Sequence, residues 1–359
     1  MSYNTKITYF GIIRSISSWS KVARNILKEL LNFSIDLSIY ERKGFLYNKN
    51  FNLGELERFV DNSFKGDIVF TFEHPKNYIY LPKKTLNVGF LVYEYTSLPF
   101  DWVSNINKYL SFVFVPSKFT YDVFLKSGVD EKKLKILRYG IDRKIYFKKE
   151  KKEDMENNKI RFFSIGSPHK REGVDLLLKS FYLAFRDIYD VELILKLTYI
   201  SKKAKSFEIN DFNKLLDEYK KNLRERLVII TEKLDEFEIA KLYRSSNYYF
   251  SFSKAESFGL CFLESLASGT PTIVLNYSGQ RDFLNEENSF FIKHSIKETD
   301  GDEYEKTELK QYCAYPDIDD CVSKLREIYF NKMKKDFSFD YDYFDWKKIT
   351  EEFLKIMMN

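Results

Sequence analysis

The 359 residues exceed one ordinary hydrophobic core and suit two domains, and 44% hydrophobic with 31% charged residues is a normal globular composition. Three cysteines, Cys261, Cys313 and Cys321, form no C-x-x-C pair, which argues against a disulfide framework or a zinc site and for a reducing cytoplasm. The net charge of +5 is uneven: residues 1–150 hold 24 Lys and Arg against 15 Asp and Glu, a net of +9, and the remainder nets −4.

A basic first half suits an anionic membrane surface or an anionic acceptor. No element concentrates basic and stacking aromatic residues as nucleic-acid binding would require. The apolar run Ile7–Ile13 is too short for a signal-peptide core, and no run reaches the length of a membrane span. The expected place is the cytoplasm, with peripheral contact on the inner face of the membrane.

In chain order, Ile7–Ile13 reads as a strand. A helix follows from Trp19 to Leu31, with Val22, Ala23, Ile26, Leu27, Leu30 and Leu31 on one face and Ser18 as its N-cap. Further strands are predicted at Asp36–Tyr40, Asp67–Phe72, Gly89–Tyr93, Phe112–Val115 and Leu134–Leu137, with a helix through Asp122–Lys126 that stops at Gly128. Lys148–Asn158 lacks apolar periodicity and reads as a linker.

The same rhythm then restarts. Strands are predicted at Ile160–Ile165, Glu192–Leu197, Leu227–Thr231, Tyr248–Phe252, Thr272–Leu275 and Ser289–Ile292. Helices are predicted at Val174–Phe185, Asp211–Leu223, Asp235–Arg244, Gly259–Ser268, Ile318–Tyr329 and Trp346–Met357. Lys293–Gln311 is polar and reads as a mobile loop. Strands alternating with helices imply parallel sheets, hence an α/β chain of two tandem Rossmann-like domains whose carboxyl edges face each other across a cleft.

The chemistry concentrates in Ser251–Gly279, SFSKAESFGLCFLESLASGTPTIVLNYSG. A strand leads to Glu256, and Ser257-Phe258-Gly259-Leu260 opens a helix that carries Glu264. A helix N-terminus presents free N–H groups and partial positive charge, and Gly259 allows a ligand close to them, which makes a diphosphate cradle. Glu264 can accept hydrogen bonds from a ribose diol, and Glu256 from sugar hydroxyls beyond the diphosphate.

This segment resembles the E-x7-E signature of retaining glycosyltransferases of the GT-B fold, family four (glycosyl transferases group 1). The resemblance extends to Val115–Phe119, Ser127–Val129 and Tyr139–Asp142, to Phe163–Phe181 (FSIGSPHKREGVDLLLKSF) and to Val228–Tyr243. It implies an acceptor domain at 1–147, a donor domain at 159–335, and a C-terminal helix, about 343–359, that packs back on the first domain. It also implies transfer of a sugar from a nucleotide diphosphate sugar with retention, without metal or other cofactor. The acceptor would be a glycan or lipid-linked saccharide in cell-surface polysaccharide or glycolipid synthesis.

The pattern departs from the family where Ser167 and Glu172 replace its usual Arg and Lys for the diphosphate. Lys196 and Arg171 are the expected replacements, with Lys170 beside them. Gly11 falls below the donor phosphates by the same resemblance. Glu94, Thr96 and His74, following strands of the first domain, are the expected acceptor contacts. Asp340-Tyr341-Asp342 has the text of a metal-binding D-x-D but reads as polar sequence before the last helix. Two other readings fit these residues: a non-catalytic nucleotide-sugar-binding or scaffold subunit, and a nucleotide-sugar epimerase or hydrolase of the same fold.

Overall fold

A computed structural model describes residues 5–44, 47–149, 159–198, 206–299, 307 and 309–358, with backbone alone at 206–210. Contacts divide the chain into two compact units, with breaks at Gly140/Ile141 and Tyr341/Asp342, and with Thr307, Leu309 and Lys310 also grouped with the first.

The first unit is a six-stranded parallel sheet. Its strands are β1 (Thr5–Gly11), β2 (Ile35–Glu41), β3 (Ile68–Thr71), β4 (Leu86–Phe90), β5 (Phe112–Val115) and β6 (Leu134–Ile136), in the order β2-β1-β3-β4-β5-β6. Helices α1 (Ser18–Leu30), α2 (Phe100–Tyr109) and α3 (Lys118–Lys126) link them. β1 lies between β2 and β3, so the chain winds outward both ways from it, and the loops after β1 and β3 flank a topological switch point. The C-terminal helix α9 (Trp346–Met358) belongs to this unit: the Phe353 ring meets Phe70 at 4.8 Å and Phe114 at 5.3 Å.

The second unit repeats the plan with β7 (Ile160–Gly166), β8 (Val191–Leu197), β9 (Leu227–Ile230), β10 (Tyr248–Phe250), β11 (Thr272–Leu275) and β12 (Ser289–Ile292). All pairs are parallel, in the order β12-β11-β10-β7-β8-β9. Here β7 sits between β8 and β10, so the switch point is flanked by the loops after β7 and β10. Helices α4 (Val174–Phe185), α5 (Ser206–Leu223), α6 (Glu236–Arg244), α7 (Leu260–Ala267) and α8 (Ile318–Phe330) complete it. Phe162, Phe181, Phe185 and Phe250 are fully buried in its core.

Helix α6 shows how local sequence fixes an element. Asp235 accepts from the Glu238 amide at 2.9 Å, and the Glu238 carboxylate accepts from the Asp235 amide at 2.7 Å, a reciprocal cap. Asp235→Ala is expected to lose about 1 kcal/mol of stability, read as a lower urea midpoint at unchanged slope.

Several expectations change. The strand placed at Gly89–Tyr93 ends at Phe90, and Leu91, Tyr93 and Tyr95 enter the core from an irregular loop. Ser17, rather than Ser18, caps α1. Helix α2, not anticipated, buries Trp102 and Ile106 one turn apart. The expected mobile loop at 293–311 contains β13 (His294–Glu298), which pairs antiparallel with β14 (Tyr312–Pro316), while residues 300–306 and 308 lie outside the described residues. Of the expected linker, Lys148–Asn158, residues 150–158 also lie outside them. Asp340-Tyr341-Asp342 forms a turn whose Tyr341 hydroxyl meets the Lys148 amide and the Ala267 carbonyl.

Candidate active site

The candidate site of the second unit grows from the loops at its switch point. After β7 the chain runs through Ser167 to a 3-10 turn, Lys170–Glu172, and enters α4 through Gly173. Gly173 has φ +62°, and a Cβ there would stand 2.5 Å from the Phe252 carbonyl oxygen, so glycine lets the loops after β7 and β10 close on each other. The Lys254 amide then donates to the Arg171 carbonyl at 2.8 Å.

Arg171 is the hub. Only 6% exposed, it donates through Nη1 to Ser253 Oγ (3.1 Å), the Ala255 carbonyl (2.7 Å) and Glu256 Oε1 (3.1 Å), and through Nη2 to Glu172 Oε1 (2.6 Å). Ser253 Oγ also donates to Glu256 Oε1 at 2.6 Å. One cation is thus bracketed by two carboxylates. Burial pushes the Glu172 carboxyl above its ordinary value, the Glu256 charge adds to that, and Arg171 opposes both.

A third loop, after β11, fixes the backbone of Glu256. Its amide donates to Ser278 Oγ at 2.8 Å and its carbonyl accepts from the Gly279 amide at 2.8 Å. Beyond Glu256, Gly259 at φ +90° opens α7, and a Cβ there would lie 2.6 Å from the Phe262 ring. No side chain caps this helix and its first turn carries no acidic residue, so its N-terminal amides have no anionic partner on their own helix. Glu264, the fifth residue of α7, lies little more than one turn in and is buried.

The structure therefore brings Arg171, Glu256, Ser257, Phe258, Gly259 and Leu260 together in interlocked loops, with Glu264 on the helix they start. Lys170 is exposed on the 3-10 turn. Lys196 stands apart on β8: it is 5% exposed, its ammonium donates to the Leu197 carbonyl at 2.8 Å, and the carboxylate acting on it is Glu232. Burial lowers its pKa, with Glu232 opposing. Sequence reasoning missed Ser253, Ser278 and Gly279; the short run Ser278-Gly279 after an apolar strand was the available signal.

In the first unit, Gly11 ends β1 and makes room for a neighbour, because a Cβ would stand 2.5 Å from the Tyr9 hydroxyl. His74 caps the 3-10 turn Pro75–Tyr80: its Nδ1 accepts from the Lys76 amide at 3.1 Å, and its ring meets Trp102 edge-on at 4.8 Å. Glu94 and Thr96 are half-buried in the loop after β4, alternating with Tyr93 and Tyr95, which are buried. Among the described residues, no group of three or more His, Cys, Asp or Glu side chains is placed to hold a metal ion, and no helix is long and apolar enough to cross a membrane.

Two parallel-sheet Rossmann-like domains match solved structures of the GT-B fold. Residues 145–302, within the second unit, match the profile of the family described as Glycosyl transferases group 1. The chain is similar to Anabaena HepE, solved with UDP and glucose, at 12% identity and TM-score 0.69 over 99% of both chains. It is also similar to sucrose-phosphate synthase from Thermosynechococcus elongatus (13% identity, TM-score 0.67, 99% and 95% covered). A third similar structure is the lipopolysaccharide outer core galactosyltransferase WaaB without ligand (15%, TM-score 0.59, 97% and 95%). No curated protein matches the sequence.

Proposed function

We propose that the chain is a retaining glycosyltransferase that moves a sugar from a UDP-sugar to a glycan or lipid-linked saccharide, without a metal, in cell-surface polysaccharide or glycolipid synthesis. The observation that carries this reading is Glu256, held at its carboxylate by Arg171 and at both backbone groups by the loop after β11, directly before the uncapped N-terminus of α7. UDP is chosen as the nucleotide because HepE is described in complex with UDP and glucose.

In this reading the α7 amides take the diphosphate, Glu264 the ribose and Glu256 the sugar hydroxyls. Arg171, already shared between two carboxylates, acts as a positioning residue for Glu256 rather than as the counter-ion of the leaving group. Lys196, with Lys170, remains the cation proposed for the developing diphosphate charge. The basic first half supports work at an anionic membrane surface from the cytoplasmic side.

Calorimetric titration with UDP-, GDP-, ADP- and dTDP-sugars, without metal, tests the donor site. UDP-sugars are expected to bind saturably, with Kd raised about tenfold (about 1.4 kcal/mol) by Glu264→Gln. Absence of binding by every nucleotide sugar, with or without Mg²⁺, sinks the assignment. One observation favours a non-catalytic donor-binding subunit: Arg171, one of the two cations expected to replace the family's pair, is consumed by two carboxylates. Release of UDP only in the presence of a saccharide decides for the transferase, whereas UDP-sugar binding without turnover decides for the subunit.

A further inference from the structure

One surface loop of the first unit combines exposed apolar side chains with unpaired positive charge. The segment Pro75–Lys84, PKNYIYLPKK, runs between β3 and β4 and opens as the 3-10 turn Pro75–Tyr80. Such a turn repeats every three residues, so Pro75, Tyr78 and Leu81 fall in one row. That row is buried, which leaves Lys76, Ile79 and Tyr80 outside. Ile79 and Tyr80 are each 56% exposed. Among the described residues they are the one pair of large apolar or aromatic side chains, adjacent in sequence, that are both exposed. The ordinary scatter of single apolar residues over a surface does not account for such a pair.

The pair is held out by a fixed chain. The Leu81 amide donates to the Tyr78 carbonyl at 3.1 Å, and the Pro82 carbonyl accepts from Thr85 Oγ1 at 3.1 Å and Asn87 Nδ2 at 2.9 Å. Lys76, Lys83 and Lys84 flank the pair in sequence, are exposed, and take part in no ion pair among the described residues. The Arg42 guanidinium lies over the Tyr80 ring at 5.2 Å. No acidic residue occurs between Glu73, itself 5% exposed, and Glu94.

We infer that this loop docks on an anionic lipid bilayer, with Ile79 and Tyr80 entering the headgroup region and Lys76, Lys83 and Lys84 meeting its phosphates. Tyrosine suits that depth, because its ring is apolar and its hydroxyl stays wet. A protein partner needs a broad apolar centre, for which two side chains are too few. A bilayer needs only a small apolar insertion joined to a basic patch, each weak alone and sufficient together. The net charge of +9 over residues 1–150 draws the same unit towards such a surface from a distance. The inference rests on the transferase reading for its purpose alone. The turn follows β3, whose loop flanks the switch point of the first sheet, so a bilayer held there favours a lipid-linked saccharide over a free glycan as acceptor.

The test is co-sedimentation of the full chain with vesicles of phosphatidylcholine alone and of phosphatidylcholine with phosphatidylglycerol in equal parts, at low and at physiological salt. The natural chain is expected to bind the anionic vesicles, more weakly as salt rises, and to leave the neutral ones in solution. The partition coefficient should fall about tenfold or more in Ile79→Ser with Tyr80→Ser, and about as much in Lys83→Glu with Lys84→Glu. Lys347→Glu with Lys348→Glu, the same charge change on α9 of the same unit, should lower it less than about twofold. Melting temperatures confirm folding; if the first pair does not fold, Tyr80→Ser alone carries the comparison. No binding to anionic vesicles overturns the surface and leaves an acidic protein as its occupant. Equal binding to both vesicle types, or an equal loss in the α9 pair, overturns it as well. UDP-glucose is titrated into the same proteins, with an unchanged Kd expected in Ile79→Ser with Tyr80→Ser. UDP-glucose binding without vesicle binding removes the surface alone, whereas vesicle binding without UDP-glucose binding keeps the surface and removes the donor reading.

Discussion

Replacing Arg171 by methionine is expected to cost about 3–5 kcal/mol of stability at neutral pH, and the cost should shrink as pH falls. The substitution leaves the carboxylates of Glu172 and Glu256, with side chains 22% and 18% exposed, facing each other without their cation. Glu172 already has a raised pKa from burial, then lowered in part by Arg171 and raised by the Glu256 charge. Without Arg171 its folded value rises further above the ordinary value of about 4.3. Below the unfolded pKa both states carry the proton and the penalty is absent. It grows as pH rises from the unfolded towards the folded pKa, because the unfolded chain ionises first. Urea midpoints of the two proteins should therefore diverge from pH 5 to pH 7, and Arg171→Met with Glu172→Gln should recover part of the loss. A gap independent of pH would show that lost packing, not uncompensated charge, is responsible.

Much of this fold is legible because its signals are local. Val174–Phe185 and Thr272–Leu275 fall where apolar spacing places them, since each element buries one stripe or run against its own sheet. Helix α2 escapes because Phe100–Tyr109 is rich in weak helix formers (Asn105, Asn107, Ser104, Val103) and starts at Pro99 without a side-chain cap. Strand β4 is misplaced for a related reason: Leu91, Val92 and Tyr93 are buried without belonging to a strand. Strand β13 hides in a polar run because its partner β14 begins fourteen residues after it ends, and antiparallel pairing leaves no short-range mark at that spacing.

The site divides in the same way. Glu256, Gly259 and Glu264 share one strand-turn-helix segment, so their juxtaposition is readable from spacing. The partners that hold Glu256 are 85 residues before it, at Arg171, and 22 after it, at Ser278. Arg171 reads from the sequence as a cation for the diphosphate, yet its bonds go to the Glu172 and Glu256 carboxylates, Ser253 Oγ and the Ala255 carbonyl, because an adjacent Glu172 and a buried guanidinium satisfy each other first.

Gly279→Ala is expected to remove donor binding while costing about 1–3 kcal/mol of stability or somewhat more. A Cβ at Gly279 would stand 2.2 Å from the Ser257 carbonyl oxygen, 2.4 Å from its carbon and 2.7 Å from the Phe258 nitrogen. All three are backbone atoms, so no rotamer change relieves the overlap and one loop must retreat. The loop after β11 has little slack, since Ser278 already adopts φ 65° and ψ −150°, a conformation that favours glycine and costs about 1–3 kcal/mol elsewhere. Its hydroxyl compensates by accepting from the Glu256 amide and lying 3.0 Å from Gln280 Oε1. The segment that can yield is therefore Glu256–Phe258, which would move Glu256 off its Gly279 amide and tilt the entrance to α7. Calorimetry with UDP-glucose should show at least a hundredfold loss of affinity, larger than that of Glu264→Gln, because in the proposed donor site a displaced turn would remove sugar and diphosphate contacts together whereas Glu264→Gln would weaken one. Donor affinity that survives Gly279→Ala would mean that the turn at Ser257–Phe258 does not touch the donor, and the diphosphate would have to be sought at the N-terminus of α4 instead.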